Sequence, residues 1–321
     1  MDIAQLLQTN IRQILDTARL APSVHNTQPW QVQVDGNSLV ISLDPRHVLH
    51  DGDPTGRETT ISLGIFCEAI QLSSQPFGIQ ATKTQLDKDS VRLEFGPNQA
   101  QTDAEHRLTL LRRRCSDRSL YNPVPISDEL QQTFIAVSKS PTITVHVVTN
   151  NTALATIASL TSKGIALALS SPGFRRELSH YLTVPWSGFK RGISTSSLAL
   201  AWPIAVLQPL FIRLGWQTGA EAAFEKRRWE SASAAVAITA DGDMPDYWFE
   251  AGQVYLRLSL AIEDAGLSQA TSAATVEASN YHDDIEEILG TNQRVLAMIR
   301  IGQGSKRRHH SPRVSVDELL H

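Results

Sequence analysis

The sequence predicts an α+β fold built from two tandem halves, on three observations. Helical and strand patterns alternate along the 321 residues. One apolar helical stretch runs from Gly64 to Gly78, and another runs with the same spacing from Gly252 to Gly266. Each closing glycine is followed by a glutamine-containing extended segment and then by a late strand that ends in glycine. A tandem duplication would produce this arrangement, and a chance agreement of two helices is the alternative.

The first half, residues 1–104, is predicted to begin with an amphipathic helix over about twenty residues. The turn Asp35-Gly36-Asn37 then joins two alternating strands into a hairpin. A turn-rich loop over residues 51–58 leads into a helix that Thr59 or Thr60 would cap. The predicted strands cover residues 30–34, 39–43, 80–84 and 91–95, and the long helix covers 61–75.

The second half, residues 105–321, is predicted to contain a helix capped by Ser127 and further strands and helices. Residues 172–230 are predicted to be irregular and to form a lid-like insertion, or a substrate pocket. The apolar run 198–212 is too short for a transmembrane helix and contains two prolines, so no stable membrane insertion is expected. The strands are predicted at residues 142–148, 234–239 and 295–301, and the helices at 127–137, 153–169, 248–265 and 283–289.

The composition is that of an ordinary soluble globular protein, with 41% hydrophobic and 19% charged residues. A net charge of −4 does not favour nucleic acid as a general partner. Cys67 and Cys115 lack the spacing of a zinc site or a disulfide framework, so no metal is expected. Because no secretory signal pattern is visible at the N-terminus, a cytoplasmic location is expected.

The segment from Ala21 to Trp30 is the most informative stretch of the chain. It reads Ala-Pro-Ser-Val-His-Asn-Thr-Gln-Pro-Trp and lies between a helical pattern and a strand, where binding loops are common. Proline and asparagine also suit a purely structural turn, which is the alternative. The segment resembles the loop that nitroreductase-type flavoproteins wrap around FMN. The resemblance implies that Pro22, Ser23, Asn26 and Gln28 bind this cofactor.

A second motif is Arg114-x-Ser116-x-Arg118. Alternate residues of an extended segment point the same way, so two guanidiniums and a hydroxyl would face one phosphate. A solvated basic surface is the alternative. The motif resembles the phosphate-binding segment of nitroreductases. In that family a basic residue near the C-terminus closes on the same phosphate, and Arg313 is the matching position; residues 306–308 are either further basic candidates or simple tail charges.

The segment after Gly266 is expected, by the same resemblance, to pass the reactive edge of the flavin. Backbone NH groups of Ser272 and Ala273 could donate hydrogen bonds to the ring there, since any non-proline residue supplies one. The sequence at this place lacks the prolines of related stretches. His25 and Arg57 are interpreted as structural or hydrogen-bonding residues, and no catalytic residue is assigned, because the flavin itself carries the hydride chemistry.

Each half keeps the motif that the other lacks. The first half holds the Pro-Ser-x-x-Asn loop, whereas the matching place in the second half reads Ser138-Lys139-Ser140-Pro141. The chain therefore resembles a fused pseudo-dimer of the Acg-like branch of nitroreductases. Each degenerate copy is expected to hold an antiparallel-rich mixed sheet flanked by helices.

This resemblance implies one FMN per chain between the halves and reduction of a small molecule by a reduced nicotinamide. The alternative is a protein that stores or sequesters FMN beneath a lid with little turnover. The sequence does not identify the substrate and does not distinguish NADH from NADPH. It leaves open whether the pseudo-dimer is a monomer or pairs again as a homodimer.

Overall fold

The computed structural model describes the chain in six stretches, and the tail residues 306–308 lie outside them. The described residues are 2–98, 103–184, 186–198, 202–216, 218–304 and 310–321. The helices are α1 (Ile3–Ala18), α2 (Arg57–Ser74), α3 (Ala104–Arg113), α4 (Asp128–Ile135), α5 (Asn151–Ser170), α6 (Pro172–His180), α7 (Trp202–Leu214), α8 (Thr218–Glu230), α9 (Pro245–Asp264), α10 (Ala274–Glu277), α11 (Tyr281–Leu289) and α12 (Val316–Leu319). The strands are β1 (Trp30–Asp35), β2 (Ser38–Leu43), β3 (Ile79–Leu86), β4 (Ser90–Pro97), β5 (Ile143–Val148), β6 (Leu182–Thr183), β7 (Ile193–Ser194), β8 (Ala234–Ala240), β9 (Ser268–Thr271) and β10 (Arg294–Gly302).

Two four-stranded sheets have the same strand order. The first half forms β1-β2-β4-β3 and the second forms β5-β8-β10-β9, and every neighbouring pair in both sheets is antiparallel. In each half a long helix, α2 or α9, joins the second strand to the third. The predicted α+β class is therefore confirmed, together with the hairpin at residues 35–38.

Both sheets become mixed only at their edges. The parallel bridge Val32–Leu320 brings the C-terminus of the chain to β1, and His321 N donates to Val32 O over 3.0 Å. The parallel bridge Ser116–Gln269 places the Arg114–Arg118 segment beside β9. The last residues of the chain thus join the sheet of the first half.

The halves pack through α2 and α9, and the contact is reciprocal. A Cβ at Gly64 would lie 2.0 Å from Phe249 O, and a Cβ at Gly252 would lie 2.1 Å from Ile61 O. Phe249 lies about one helical turn before Gly252, and Ile61 lies about one helical turn before Gly64. The two contacts are therefore equivalent, as a two-fold contact between like surfaces requires. Only glycine permits this close approach of the two backbones.

The helix cap predicted at Thr59 or Thr60 is wrong. Helix α2 begins one residue after Gly56, which has φ 76°. The buried carboxylate of Asp53 accepts hydrogen bonds from Glu58 N at 3.1 Å and Thr59 N at 2.7 Å. Asp53 is a better cap than either threonine because its carboxylate accepts hydrogen bonds from two NH groups of the first turn. The positive end of the helix dipole also stabilises its negative charge.

The prediction that residues 172–230 are irregular is also wrong, because this stretch contains α6, α7 and α8. Ser171 caps α6 and Pro172 occupies its first turn, while Pro209 lies inside α7. The prolines and scattered aromatics obscured the helical periodicity.

Helix α5 lies in the same connection between β5 and β8 and precedes α6, α7 and α8. It is long and apolar enough to cross a membrane, although 39% of its most apolar window is buried in the fold.

Candidate functional site

A small cavity of about 50 Å³ lies where the two motifs meet. It is closed on one side by the first half's loop and on the other by the Arg114–Arg118 segment and the C-terminal tail. Most of the residues predicted to bind the cofactor therefore share one site. The lining residues are Pro22, Ser23, Asn26, Arg114, Cys115, Ser116, Arg118, Ile193, His310, Ser311 and Arg313.

The loop that supplies Pro22, Ser23 and Asn26 has an unusual backbone. His25, Asn26 and Gln28 have φ values of 45°, 54° and 48°, in the left-handed region that costs a non-glycine residue about 1–2 kcal/mol. Two hydroxyls hold this conformation. The Oγ of Ser62 accepts from Val24 N at 3.0 Å, and the Oγ of Ser23 accepts from Gln28 N at 2.9 Å. Strain of this kind concentrates at binding sites.

A strap from the second half, residues 190–193, is tied to this loop. Asn26 donates its Nδ2 to Gly192 O over 2.9 Å, and Gly192 N donates back to Asn26 O over 3.0 Å. Arg191 donates Nη1 to Thr27 O over 2.7 Å and also to Gln28 O. The strap thereby places Ile193 in the wall of the cavity.

Gln28 is fully buried and is not among the lining residues. Its Nε2 donates to Lys190 O over 3.0 Å, and its Oε1 accepts from Val314 N at 3.0 Å. The amide thus joins the strap to the C-terminal tail. Within this structure Gln28 positions the elements around the cavity instead of facing a ligand.

Arg114 and Arg313 line the cavity, and each has at least one buried guanidinium nitrogen without a hydrogen-bond partner. Arg114 is only 4% exposed, and its buried Nε and Nη1 have no hydrogen-bond partner. Arg313 donates to the carbonyls of Leu20, Ser311 and Pro312, but its Nε also has no partner. Burial, reinforced by Arg114 and Arg19, lowers the pKa of Arg313 to about 9. An anion between the two guanidiniums would supply the missing acceptors and offset their repulsion.

Arg118 adds to the positive potential. Burial lowers its pKa, and Arg228 and Arg300 lower it further, against the opposite effect of Glu225. Burial and the charge of Arg118 also lower the pKa of His25 to about 4, so His25 is neutral at physiological pH. No carboxylate is among the cavity's described lining residues. The site is built to receive negative charge.

Arg300 holds the Arg114–Arg118 segment in place by hydrogen bonds. It was not among the site residues predicted from the sequence. It is 1% exposed, and its guanidinium lies 4.0 Å from the centre of the Tyr121 ring. Its Nη2 donates to Asp117 O over 3.1 Å and to Ser119 O over 3.0 Å. The available signal was an arginine within an otherwise apolar strand, where a charged side chain needs a defined set of partners.

Ser272 and Ala273 are not among the lining residues of the cavity. The Ser272 NH, predicted to be available to a flavin, donates to Met298 O over 3.3 Å. Ala273 caps α10. Arg57 is likewise away from the cavity and forms ion pairs with Glu277 at 2.8 Å and Asp243 at 3.6 Å, as its structural interpretation implies.

No protein-family model matches the chain. Over 97% of its length it is 23% identical to the protein named "Putative NAD(P)H nitroreductase acg" of Mycobacterium tuberculosis (strain H37Rv), and the match covers 95% of that protein. It is 33% identical over 128 residues to "Putative NAD(P)H nitroreductase Rv3131" of the same organism. That second match spans only about a third of either protein, 37% of this chain and 36% of the relative.

Among solved structures, the chain is similar to the FMN-dependent nitroreductase NfnB from Mycobacterium smegmatis in complex with NADPH. The TM-score is 0.44 with 18% identity, and the match covers 68% of this chain and 98% of that chain.

Proposed function

We propose, from the premise that this chain belongs to the nitroreductase-like family, that it is an FMN-dependent oxidoreductase with one FMN per chain. The cofactor lies between the halves and takes its phosphate contacts from the second half and its Pro-Ser-x-x-Asn loop from the first. A reduced nicotinamide is the electron donor and a small molecule the acceptor. A cytoplasmic location remains a prediction.

The observation that carries this proposal is that two buried nitrogens of the Arg114 guanidinium, Nε and Nη1, have no hydrogen-bond partner. A buried arginine cannot shed its proton, so burial without a counter-charge is unfavourable unless a ligand supplies one. The cavity of about 50 Å³ suits a group the size of phosphate, and Arg118, Arg313 and Ser116 line it as well. These residues fit the phosphate end of FMN.

FMN, when bound, supplies the hydride chemistry, and the chain's residues hold it and control access to it. Arg114, Arg118 and Arg313 bind the phosphate, while Pro22, Ser23 and Asn26 contact the adjoining part of the cofactor. The strap contributes the apolar side chain of Ile193 to the wall of the cavity. We assign Ser272 and Ala273 no direct contact, since they lie outside the cavity wall.

The two halves, residues 1–104 and 105–321, are proposed to be degenerate copies of one ancestral unit. The common strand order and the reciprocal contacts of Gly64 and Gly252 support this origin. It explains why one complete site forms and the second does not. In the second site the Ser138–Pro141 segment stands where the flavin loop would be.

A second candidate function, storage or sequestration of FMN, is favoured by the strap. Its hydrogen bonds to Asn26, Thr27 and Gln28 hold it against the flavin loop, and the cavity of about 50 Å³ is far smaller than the roughly 300–1,000 Å³ of a typical ligand pocket. The strap must therefore move for FMN to enter or leave. A strap held in this way would slow contact between the flavin and an external reductant.

The proposal is tested by FMN binding to the full chain and to matched arginine variants. Heat-released flavin should equal one per chain. Arg114→Met should weaken FMN binding by about 100-fold or more, because two charge-assisted hydrogen bonds are lost, whereas Arg112→Met, on the exposed neighbour, should leave it unchanged. Equal, small effects would mean that the arginines form a solvated basic patch.

The two candidate functions are separated by mixing the FMN-loaded protein with NADPH or NADH without oxygen. Rapid bleaching of the oxidised flavin band indicates an oxidoreductase. Bleaching that takes many minutes, with FMN still bound, indicates sequestration.

A further inference from the structure

Helix α7 turns its largest apolar side chains outward. Its buried residues are Ala205, Gln208 and Ile212. Leu207, Leu210 and Leu214 on the opposite side are 45%, 49% and 49% exposed. A surface helix of a globular protein normally has the reverse arrangement, with its apolar stripe towards the core.

Tryptophans extend this surface at both ends of the helix. Trp202 is 70% exposed and lies 6.2 Å, ring centre to ring centre, from Trp186, which is 61% exposed. Trp216 is 57% exposed and lies beside Phe211 at the other end. We call these six residues, Trp186, Trp202, Leu207, Leu210, Leu214 and Trp216, the α7 face. None of them is among the described residues that line the cavity, whereas Ile193 of the strap, which belongs to the same connection, is.

The α7 face is too large for an ordinary exposed surface. Tryptophans can bury about 150–250 Å² each, so the six partly exposed side chains present on the order of 700 Å² of apolar area. The largest apolar patch on a typical monomer measures about 300–600 Å². One side of a standard protein interface buries about 800 Å². The area thus matches what a stable dimer needs from each partner.

The pattern of the face suits a second copy of the same helix. Leu207, Leu210 and Leu214 follow one another at spacings of three and four residues, which is the seam along which helices pack. In a two-fold contact the same surface of each copy faces the other, so charges of one sign would repel each other across the axis. A helix that pairs with its own copy must therefore carry few charges of one sign. Arg213 is the single charged residue of α7. A helix lying on an anionic membrane would carry many more basic residues.

We propose that the α7 face is a two-fold interface between copies of this chain. Two α7 helices pack across the axis, with the tryptophans as the anchoring side chains at its ends. The interface is separate from the cavity and does not depend on the proposed function. The molecule is then a dimer in which each chain keeps its own cavity.

The test is the mass of the full-length protein by sedimentation velocity over a range of concentrations. The wild type should be a dimer, and Leu210→Glu should raise the dissociation constant of the dimer by about 100-fold or more. Leu167→Glu, which changes a leucine of similar exposure (47%) on α5 outside the face, is the matched control and should remain dimeric. Unchanged circular dichroism shows that each variant is folded.

A second variant keeps the test valid if Leu210→Glu does not fold. In Leu207→Cys the new thiols of two copies should be oxidised by dissolved oxygen, which takes up their two electrons and two protons, to a disulfide-linked dimer that neither the wild type nor Leu167→Cys should form. A wild type that is monomeric at tens of micromolar overturns the proposal, as does equal dissociation by both glutamate variants. Binding of a monomeric wild type to phosphatidylglycerol vesicles, abolished by Leu210→Glu, would assign the face to a membrane and also overturn it.

Discussion

The two halves share a strand order and differ in the connection between their first two strands. In the first half the tight turn of the 35–38 hairpin joins β1 to β2. In the second half residues 149–233 stand between β5 and β8 and form four helices, the strap and the α7 face. The sheets and the α2–α9 contact are therefore the common scaffold. The strap belongs to the connection that is long in the second half and a tight turn in the first, in keeping with the concentration of function in connecting segments.

The loops that precede the first strand of each half show a second difference. In the first half His25, Asn26 and Gln28 have positive φ values, and Asn26 bonds to the strap and tail. In the second half no residue of the 138–141 loop has a positive φ, and Ser140 Oγ accepts hydrogen bonds from Thr142 N and Ile143 N beside it. The second loop satisfies its own polar groups locally, whereas the first is held by distant elements.

Much of the fold could be predicted because its signals are local. The hairpin, the long helices and the strand over 234–240 follow from periodicity and turn residues. The sequence did not show whether Asp53 or a threonine caps α2, since aspartate and threonine both favour the N-terminus of a helix. The helices of residues 172–230 were hidden because prolines and aromatics interrupt their pattern.

The two motifs of the site were predictable from the sequence, but the contacts that hold them were not. Arg114 and Asn26 belong to patterns that can be read in a short stretch of sequence. The partners that fix them are distant along the chain: Gly192 and Pro312 bond to Asn26. A single sequence contains no signal for such pairings, and the strap was missed for that reason.

The largest expected effect tests whether the halves are related by a two-fold contact. Gly64→Ala and Gly252→Ala should each lower the free energy of unfolding by about 3 kcal/mol or more, because each new methyl group meets a backbone carbonyl that cannot yield. Gly219→Ala, where a Cβ meets nothing within 4 Å, is the control and should be neutral or slightly stabilising. Urea unfolding measures all three. If one of the first two changes is tolerated and the other is not, the contact is not reciprocal.

The next prediction concerns the loop that only the first half has retained. The pKa of His25 is about 4 in the folded state and about 6.5 when unfolded, so the unfolded chain binds a proton more readily between these values. The wild type should therefore lose about 2.5 kcal/mol of stability through His25 as the pH falls from 6.5 to 4, since a lowered histidine pKa opposes folding in acid.

His25→Gln should remove this part of the acid dependence. Above pH 7.5 the stability difference between wild type and variant should be constant, and it should shift in favour of the variant as the pH falls below 6.5. Denaturant unfolding at a series of pH values measures the difference. A difference that does not change with pH would mean that His25 titrates alike in both states and that the loop is not closed around it.

The smallest expected effect separates the two ways in which the strap is attached. Arg191 is 9% exposed and donates Nη1 to Thr27 O and Gln28 O, so Arg191→Ala leaves two carbonyls without their donor. Lys190 lies next to it but forms an exposed ion pair with Glu318 at 2.9 Å, of a kind worth about 0–1 kcal/mol.

Loss of the Arg191 bonds should lower the free energy that holds the strap against the loop by about 1.5 kcal/mol and speed FMN release about tenfold. Lys190→Ala should change the release rate by less than about threefold, and both rates can be followed by the rise in flavin fluorescence after dilution. If both variants release FMN at the wild-type rate, the strap does not limit release, and the long connection of the second half does not control access to the site.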